Sequence, residues 1–282
     1  MAEVFGYVIG DTSKKAERHR RYKLCPYGNR SANCTKDKQK DPLGVCSIFD
    51  AGRVISTCPV RFRENWIIAT DAADFFFPEN AKWTTLSEIR LKDGDGGSAG
   101  NIDVVLASYD DSGKILDFGA LEVQAVYISG NIRNPFRKFM ESPQKNGDMS
   151  WKEEESYPRA DFLSSSRKRL APQLIYKGGI LKAWNKKSAV ALDKHFFATL
   201  PKMDTVKKEK ADIAWLIYDF KFNGTRFEQT LEQTIYTEFH PALNKITQSR
   251  PGKLSDFVDT LQTKLDEKLD NPPTTENLTS LK

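Results

Sequence analysis

Continuous and alternating runs of apolar residues predict a β-sheet that contains two hairpins. Residues 101–110 and 115–128 are rich in Val, Ile, Leu and Tyr, a composition typical of strands, and a short polar turn separates them. Residues 211–223 and 226–239 form a second pair of strand candidates around Asn223-Gly224, the strongest hairpin signal in the chain. We expect the first pair to form a hairpin at the centre of the sheet.

Other segments have the apolar periodicity of helices. Residues 161–187 are predicted to be helical in parts, with Asp161 as the N-cap, whereas Pro172 and Gly178-Gly179 are expected to kink or split the element. Residues 255–269 predict an amphipathic helix. Strands interspersed with helices indicate an α/β protein in which helices flank a mixed β-sheet.

The length of the chain and its apolar runs favour a folded globular protein over a membrane-spanning one. With 282 residues, of which 39% are hydrophobic, the chain is long enough to bury a sizeable core. It contains no run of about 18 apolar residues, so we expect neither a transmembrane helix nor a membrane partner. Residues 1–15 lack the apolar core of a secretion signal, and we therefore expect a cytoplasmic protein.

The charge of the chain is mildly basic. A net charge of +5 permits a nucleic-acid partner without requiring one. Six basic residues are concentrated in residues 11–23. This stretch is either a solvated basic arm or a group of phosphate contacts, and charge alone does not decide between the two.

All four cysteines lie near the N-terminus of the chain. They are Cys25, Cys34, Cys46 and Cys58. Structural disulfides are disfavoured in a reducing cytosol, whereas four thiolates gathered in one place can hold a tetrahedral Zn or Fe ion. Pro26, Gly44 and Pro59 suit turns that aim thiolates inward. The gaps between the cysteines are wide, however, and four unrelated buried cysteines are the alternative.

A pair of acids in the first hairpin indicates metal-dependent phosphodiester hydrolysis. Because side chains alternate along a strand, Glu122 and Gln124 share one face, whereas Leu121 and Val123 face the core. If the two strands pair, Asp103 can share a metal with Glu122. Mg²⁺ is commonly held by one or two carboxylates, and it activates a water and neutralises charge in the transition state. The general pattern is the D…(E/D)-x-K nuclease motif, which is loose, and an unrelated Asp and Glu in a hairpin are the alternative.

The cysteine pattern and the second strand together resemble one known family. The segments Cys25-Pro26, Cys34, Gly44-Val45-Cys46 and Cys58-Pro59, followed by residues 118–124, resemble the NotI family of type II restriction endonucleases. The similarity continues in Arg167-Lys168-Arg169, Gln173 and Tyr176-Lys177, and it covers roughly residues 23 to 200. The resemblance implies a PD-(D/E)xK restriction-endonuclease-like core with a small four-cysteine metal-binding loop subdomain.

The resemblance also implies roles for particular residues. The family's catalytic set falls on Glu88, Asp103, Glu122 and Gln124. Asp103 and Glu122 would hold catalytic Mg²⁺, and Glu88 would be the upstream acid unless it is an ordinary surface residue. Gln124 stands where most such nucleases carry Lys. Other members of the family also carry Gln at this position. Gln124 cannot act as a general base but can orient the attacking water. The four cysteines would hold Fe, in a rubredoxin-like arrangement, or Zn, in a structural role.

These features divide the chain into three predicted regions. Residues 1–62 form a basic N-terminal arm and the four-cysteine metal-binding region, residues 63–270 form the nuclease core, and residues 271–282 form a disordered tail. The implied function is site-specific cleavage of double-stranded DNA at a GC-rich palindrome by a homodimer. A cognate DNA methyltransferase would protect the same site in the host.

Two other functions use the same residues. A non-cleaving, metal-stabilised DNA-binding protein would share the cysteine site and the basic arm. It would gain nothing, however, from paired acids such as Asp103 and Glu122 that face a phosphate. A nuclease with a role in repair or in a mobile element would keep the catalytic set and differ in its substrate.

Overall fold

The computed structural model describes residues 1–28, 31–38, 40–147 and 157–270. The chain divides into two compact units, Met1–Thr247 and Gln248–Lys282. The first unit contains every residue that the sequence predicts for the site. The disordered tail predicted for residues 271–282 lies outside the described residues.

Strands are interspersed with helices along the chain, as the apolar pattern predicts. The strands are β1 (Glu3–Val4), β2 (Tyr7–Val8), β3 (Val45–Asp50), β4 (Arg53–Ser56), β5 (Trp83–Lys92), β6 (Ser98–Tyr109), β7 (Ile115–Gln124), β8 (Tyr127–Ser129), β9 (Arg159–Asp161), β10 (Ser188–Asp193), β11 (Ile213–Phe222) and β12 (Phe227–Thr237). The helices are α1 (Lys14–Arg21), α2 (Ile67–Phe76), α3 (Arg133–Glu141), α4 (residues 162–183), α5 (Lys194–Phe197), α6 (Phe239–Thr247) and α7 (Leu254–Asp270), with 3₁₀ segments at Pro59–Trp66 and Lys208–Lys210. Within the described part of the chain, no helix is both long enough and apolar enough to cross a membrane.

Six strands form the central sheet of the first unit, in the order β12-β11-β10-β7-β6-β5. Strands β7, β10 and β11 run parallel, and the remaining neighbours are antiparallel. Both predicted hairpins are confirmed, because β6 pairs with β7 and β11 pairs with β12, and β7 is an inner strand. The predicted mixed sheet flanked by helices is therefore present.

Alternation along β10 shows how both faces of this sheet are covered. Ala189 and Ala191 pack in an apolar cluster that includes α2, whereas Val190 and Leu192 belong to a second cluster with α3, α4 and α6. Burying a Val or Leu side chain stabilises the fold by about 1.5–3 kcal/mol. Because β10 is buried on both faces, its sequence is a continuous apolar run and not an alternating one.

Helix α4 continues through Pro172 and the glycine pair after it, where the sequence predicted a kink or split. Asp161 caps the helix as predicted, and its side chain accepts a hydrogen bond from Ser164 N at 2.8 Å. Two π-helical segments, Ser166–Leu170 and Leu174–Gly178, lie on either side of Pro172. The proline lacks an N–H, and the wider π turns change the hydrogen-bond pairing around it, so the helix continues.

The predicted basic N-terminal arm is folded. Strands β1 to β4 form a separate antiparallel sheet in the order β2-β1-β3-β4, and the basic stretch forms α1, which Ser13 caps. Arg20 is buried, and its guanidinium donates to the carbonyl oxygens of Val8 (2.7 Å) and Asp11 (2.6 Å). Arg20 therefore stabilises the fold, and only the exposed basic side chains of α1 can contact phosphate.

A buried ion network joins the small sheet to the central sheet. Arg61 is fully buried and donates to Glu3 Oε2 (3.0 Å), Glu64 Oε2 (2.7 Å) and the Phe227 carbonyl oxygen (2.8 Å). Its guanidinium also lies 4.4 Å from the centre of the Tyr27 ring. Since Glu3 belongs to β1 and Phe227 to β12, this one side chain connects segments that are far apart in the sequence.

We expect Arg61→Ala to lower the free energy of unfolding by about 3–5 kcal/mol, because it leaves two buried carboxylates without their cation. The matched control is Lys82→Ala, which removes the exposed partner of Asp111 and should cost less than about 1 kcal/mol. Urea denaturation of the two variants measures both values. Equal effects would contradict a stabilising role for the buried network.

Candidate active site

The register of β6 and β7 places Asp103 beside Glu122. The strands are antiparallel and Val104 faces Leu121 across the ladder, so the next pair along is Asp103 with Glu122. Leu121 lies in the buried cluster with α2. Glu122 and Gln124 therefore project from the opposite face, which α4 covers, in the alternation that the sequence predicts.

The Asp103 carboxylate is anchored to the backbone of the neighbouring strand. Its Oδ2 accepts a hydrogen bond from Val123 N at 2.9 Å, and the side chain is half-buried. This bond holds the carboxylate over β7, the strand that carries Glu122. The two acids therefore share one site.

Glu122 is a buried carboxylate with one unsatisfied oxygen. Its Oε2 accepts a hydrogen bond from Lys177 Nζ at 2.5 Å, whereas no donor of the described residues reaches the buried Oε1. Burial raises the pKa of Glu122, the charge of Asp103 raises it further and Lys177 opposes both, which gives a pKa of about 8. A buried acceptor without a donor, beside a second carboxylate, is a place where a bound cation would be stabilised strongly.

Lys177 is a member of this site that the sequence did not identify. In the sequence, Tyr176-Lys177 is only part of the family resemblance, whereas the structure shows that the Lys177 side chain is buried. Besides Glu122, its ammonium bonds the Asn101 carbonyl oxygen at 2.9 Å. A signal was present in the spacing, because Arg169, Gln173 and Lys177 recur at every fourth position of a helix.

Gln124 lies two residues after Glu122, on the same face of β7. It is 3% exposed, and its Nε2 donates to the Ala125 carbonyl oxygen at 2.9 Å. Its amide is therefore held by the backbone of its own strand. The carbonyl end of the amide can accept a hydrogen bond from a water or a ligand group.

An open cleft of about 530 Å³ borders these residues. Asp103 and Gln124 line it from the sheet, and Arg169 and Gln173 line it from α4. The Gln173 Oε1 is buried and has no donor within the described residues, and the Arg169 guanidinium lies 4.7 Å from the centre of the Tyr127 ring. The cleft therefore combines the Asp103 carboxylate with polar and basic groups.

Glu88 is set apart from the other three predicted residues. It lies in the edge strand β5, and its neighbours on either side pair with the residues that flank Asp103. Glu88 therefore lies opposite Asp103 on the neighbouring strand. Its side chain is exposed, and its backbone adopts the left-handed conformation, with φ of +55°. The structure brings Asp103, Glu122 and Gln124 together and places Glu88 on the adjacent strand.

The four cysteines line one small pocket, and none of them forms a disulfide. They are Cys25, Cys34, Cys46 and Cys58. Burial raises the pKa of Cys34 and, more strongly, that of Cys46, and the Cys58 sulfur adds to both shifts. Among the described residues, no three or more His, Cys, Asp or Glu side chains form a group whose arrangement could hold a metal ion. The thiols therefore share a pocket but would have to draw together to coordinate a metal.

A half-buried lysine lies in the same pocket, and the sequence did not predict it. Lys36 Nζ donates to the carbonyl oxygens of Val45 (2.7 Å) and Thr57 (2.9 Å). Burial lowers the pKa of Lys36, whereas the neighbouring cysteines, with Cys58 foremost, raise it. A cation in this position favours the thiolate form of cysteine, which is the form that binds metals.

Comparison with known proteins identifies one family. A protein-family model described as Restriction endonuclease NotI matches residues 3–229. This range includes the four cysteines, the paired acids and Lys177. A search of curated proteins found no match.

The raised pKa of Glu122 predicts how the affinity for a divalent cation, if one binds at Asp103 and Glu122, would depend on pH. The cation needs the ionised carboxylate, so below a pKa of about 8 its binding must release a proton. Apparent affinity should therefore rise by about tenfold per pH unit between about pH 6 and pH 7.5 and level off above about pH 8. Thermal-shift titration with Ca²⁺ over this range measures the effect, and Glu122→Gln should abolish it. A pH-independent affinity in the unaltered protein would contradict the assignment.

Proposed function

The chain belongs to the NotI family of restriction endonucleases, and we propose that it cleaves double-stranded DNA with Mg²⁺ held by Asp103 and Glu122. Membership in the family makes it a type II restriction endonuclease, a site-specific deoxyribonuclease. The same membership sets aside the non-cleaving DNA-binding protein that the sequence left as an alternative. The Mg²⁺ requirement, the roles of individual residues and the DNA target are the proposal.

The observation that supports the Mg²⁺ site is the unsatisfied Glu122 Oε1 beside a second carboxylate. Oxygen ligands suit Mg²⁺, which is usually held by one or two carboxylates together with waters and substrate phosphates. When bound, Mg²⁺ lowers the pKa of a coordinated water and neutralises charge on the phosphate. Asp103 and Glu122 fit this role because they converge from adjacent strands and each has its position fixed by a hydrogen bond.

Gln124 would orient the attacking water. An amide has no basic group, so it cannot remove the proton from that water. Its Nε2 already donates to Ala125, which leaves the amide oxygen as the group that accepts from the water. Glu88, level with Asp103 on β5, would be the upstream acid of the set.

We assign the four-cysteine pocket to a structural Fe or Zn ion. The chemistry of the donor set supports this, since four thiols match the tetrahedral four-thiolate sites of both metals. Lys36 adds to the fit because its buried ammonium would offset part of the negative charge of four thiolates. The metal would hold the loops that form one side of the cleft, to which Cys58 contributes.

The DNA is proposed to be a GC-rich palindrome bound by a symmetric homodimer, with a methyltransferase protecting that site in the host. A two-fold symmetric protein matches a two-fold symmetric target. Exposed basic residues on two helices would contact the phosphates, and they are Lys14, Lys15 and Arg18 of α1 and Arg167 and Lys168 of α4. Arg side chains pair well with guanine O6 and N7 in the major groove.

Asp103→Asn and Glu122→Gln should each slow DNA cleavage by roughly 10²–10³-fold or more, because each replaces a charged ligand for the cation with a neutral group of the same shape. Specific DNA binding should be largely retained in both variants. Single-turnover cleavage of phage DNA fragments and gel-shift assays measure the two properties. The control is Asp95→Asn, in an exposed turn, and near-normal cleavage by both site variants would contradict the proposal.

Purified protein should contain about one Fe or Zn ion per chain, and Cys34→Ala should lower both the metal content and the melting temperature, because metal binding at such sites contributes to folding. Elemental analysis and calorimetry measure these quantities. Removing the metal from the unaltered protein with a chelator should lower its melting temperature as well. A metal-free protein with four titratable thiols, whose melting temperature is unchanged by Cys34→Ala, would refute the assignment.

A further inference from the structure

We infer that Lys177 is a positioning residue of the active site, which fixes the Glu122 carboxylate beside Asp103 and supplies the positive charge that β7 lacks at Gln124. The inference rests on the proposed function of this acidic pair. It adds a residue from a helix to a site otherwise built from strands.

The contacts of Lys177 connect both strands of the hairpin. Its ammonium donates to Glu122 Oε2 on β7 (2.5 Å) and to the Asn101 carbonyl oxygen on β6 (2.9 Å), two residues before Asp103. The residue is only 6% exposed. A buried ammonium with two fixed acceptors has little freedom to move, so it determines where the Glu122 carboxylate lies.

The local helix geometry and two nearby glycines allow Lys177 to lie close to Glu122. It lies in the π-helical segment Leu174–Gly178 of α4, and such segments are frequent at functional sites. A Cβ at Gly178 would lie 2.7 Å from Phe239 Cε2, so glycine allows the helix to pack closely here. Gly100 also lies near Lys177: a Cβ there would make ordinary contact with Lys177 Cδ at 3.8 Å, and the φ of +102° at this position favours glycine.

The charges of the site require a cation. The Glu122 carboxylate is buried beside Asp103, so a negative charge on it is unfavourable unless a cation lies close by. Gln124 is neutral, so the strand that carries Glu122 offers no positive charge at that position. Lys177 supplies this positive charge from helix α4, which packs on the sheet. The charge keeps the acidic pair assembled before a divalent cation binds.

The role of Lys177 is tested by removing its positive charge and then by placing a positive charge at residue 124 instead. Lys177→Gln should slow single-turnover cleavage by roughly 10²-fold, the loss that accompanies misplacement by about 1 Å, and should raise the Mg²⁺ concentration for half-maximal rate. Lys177→Arg should restore part of the rate. Gln124→Lys added to Lys177→Gln should also restore it, because residue 124 lies on the same face as Glu122.

The matched control is Lys182→Gln on the same helix, whose ammonium pairs with Asp212 at 2.8 Å outside the site. It should leave the rate and the Mg²⁺ requirement unchanged. Melting temperatures of all variants separate a loss of positioning from a loss of folding. A normal cleavage rate in the Lys177→Gln variant would overturn the inference. A slow rate that is restored neither by Lys177→Arg nor by adding Gln124→Lys would overturn it as well.

These outcomes are distinct from failure of the proposed function. If Asp103→Asn cleaves normally, the acidic pair is not the active site and the inference fails with it. If Asp103→Asn is inactive while Lys177→Gln is normal, the site stands and only the role of Lys177 is overturned.

Discussion

The burial of the Glu122 carboxylate beside Asp103 is the constraint on which the site depends. A negative charge in this position is unfavourable unless other groups offset it. The offsetting groups are the backbone N–H of Val123, which bonds Asp103, and the ammonium of Lys177, which bonds Glu122. These groups come from β7 and α4, whereas Asp103 comes from β6, so the pair is assembled only when all three elements are packed together.

The central sheet supplies the rigidity that this arrangement needs. Strand β7 is paired on both sides, with β6 and β10, and its Leu121 packs in the cluster with α2. A Cβ at Gly119 would lie 2.4 Å from the Phe76 ring, so α2 packs closely on this strand only because the residue is glycine. A slip of one residue would turn Glu122 toward α2 and place Leu121 in the site, and burial of both faces opposes that slip.

Part of the cysteine region and Asp103 line the same cleft. Cys58 and Lys36 line both the cysteine pocket and the cleft, and Arg133 of α3 donates to Asp41 Oδ2 at 2.8 Å, which ties the cysteine loops to the rest of the first unit. The metal proposed for the four thiols would therefore stabilise one side of the cleft.

The sequence by itself determined the two hairpins, the faces of β7 and the candidate acids Asp103 and Glu122, because strand alternation and turn chemistry are local properties of the chain. It also indicated the clustering of the cysteines and the family. Only the tertiary structure decided that Arg20 is buried, that α4 continues through Pro172 and that Lys177 reaches Glu122, from which it is separated by 55 residues. The environment of a charged side chain depends on which distant elements pack around it, and charge patterns along the chain do not contain that information.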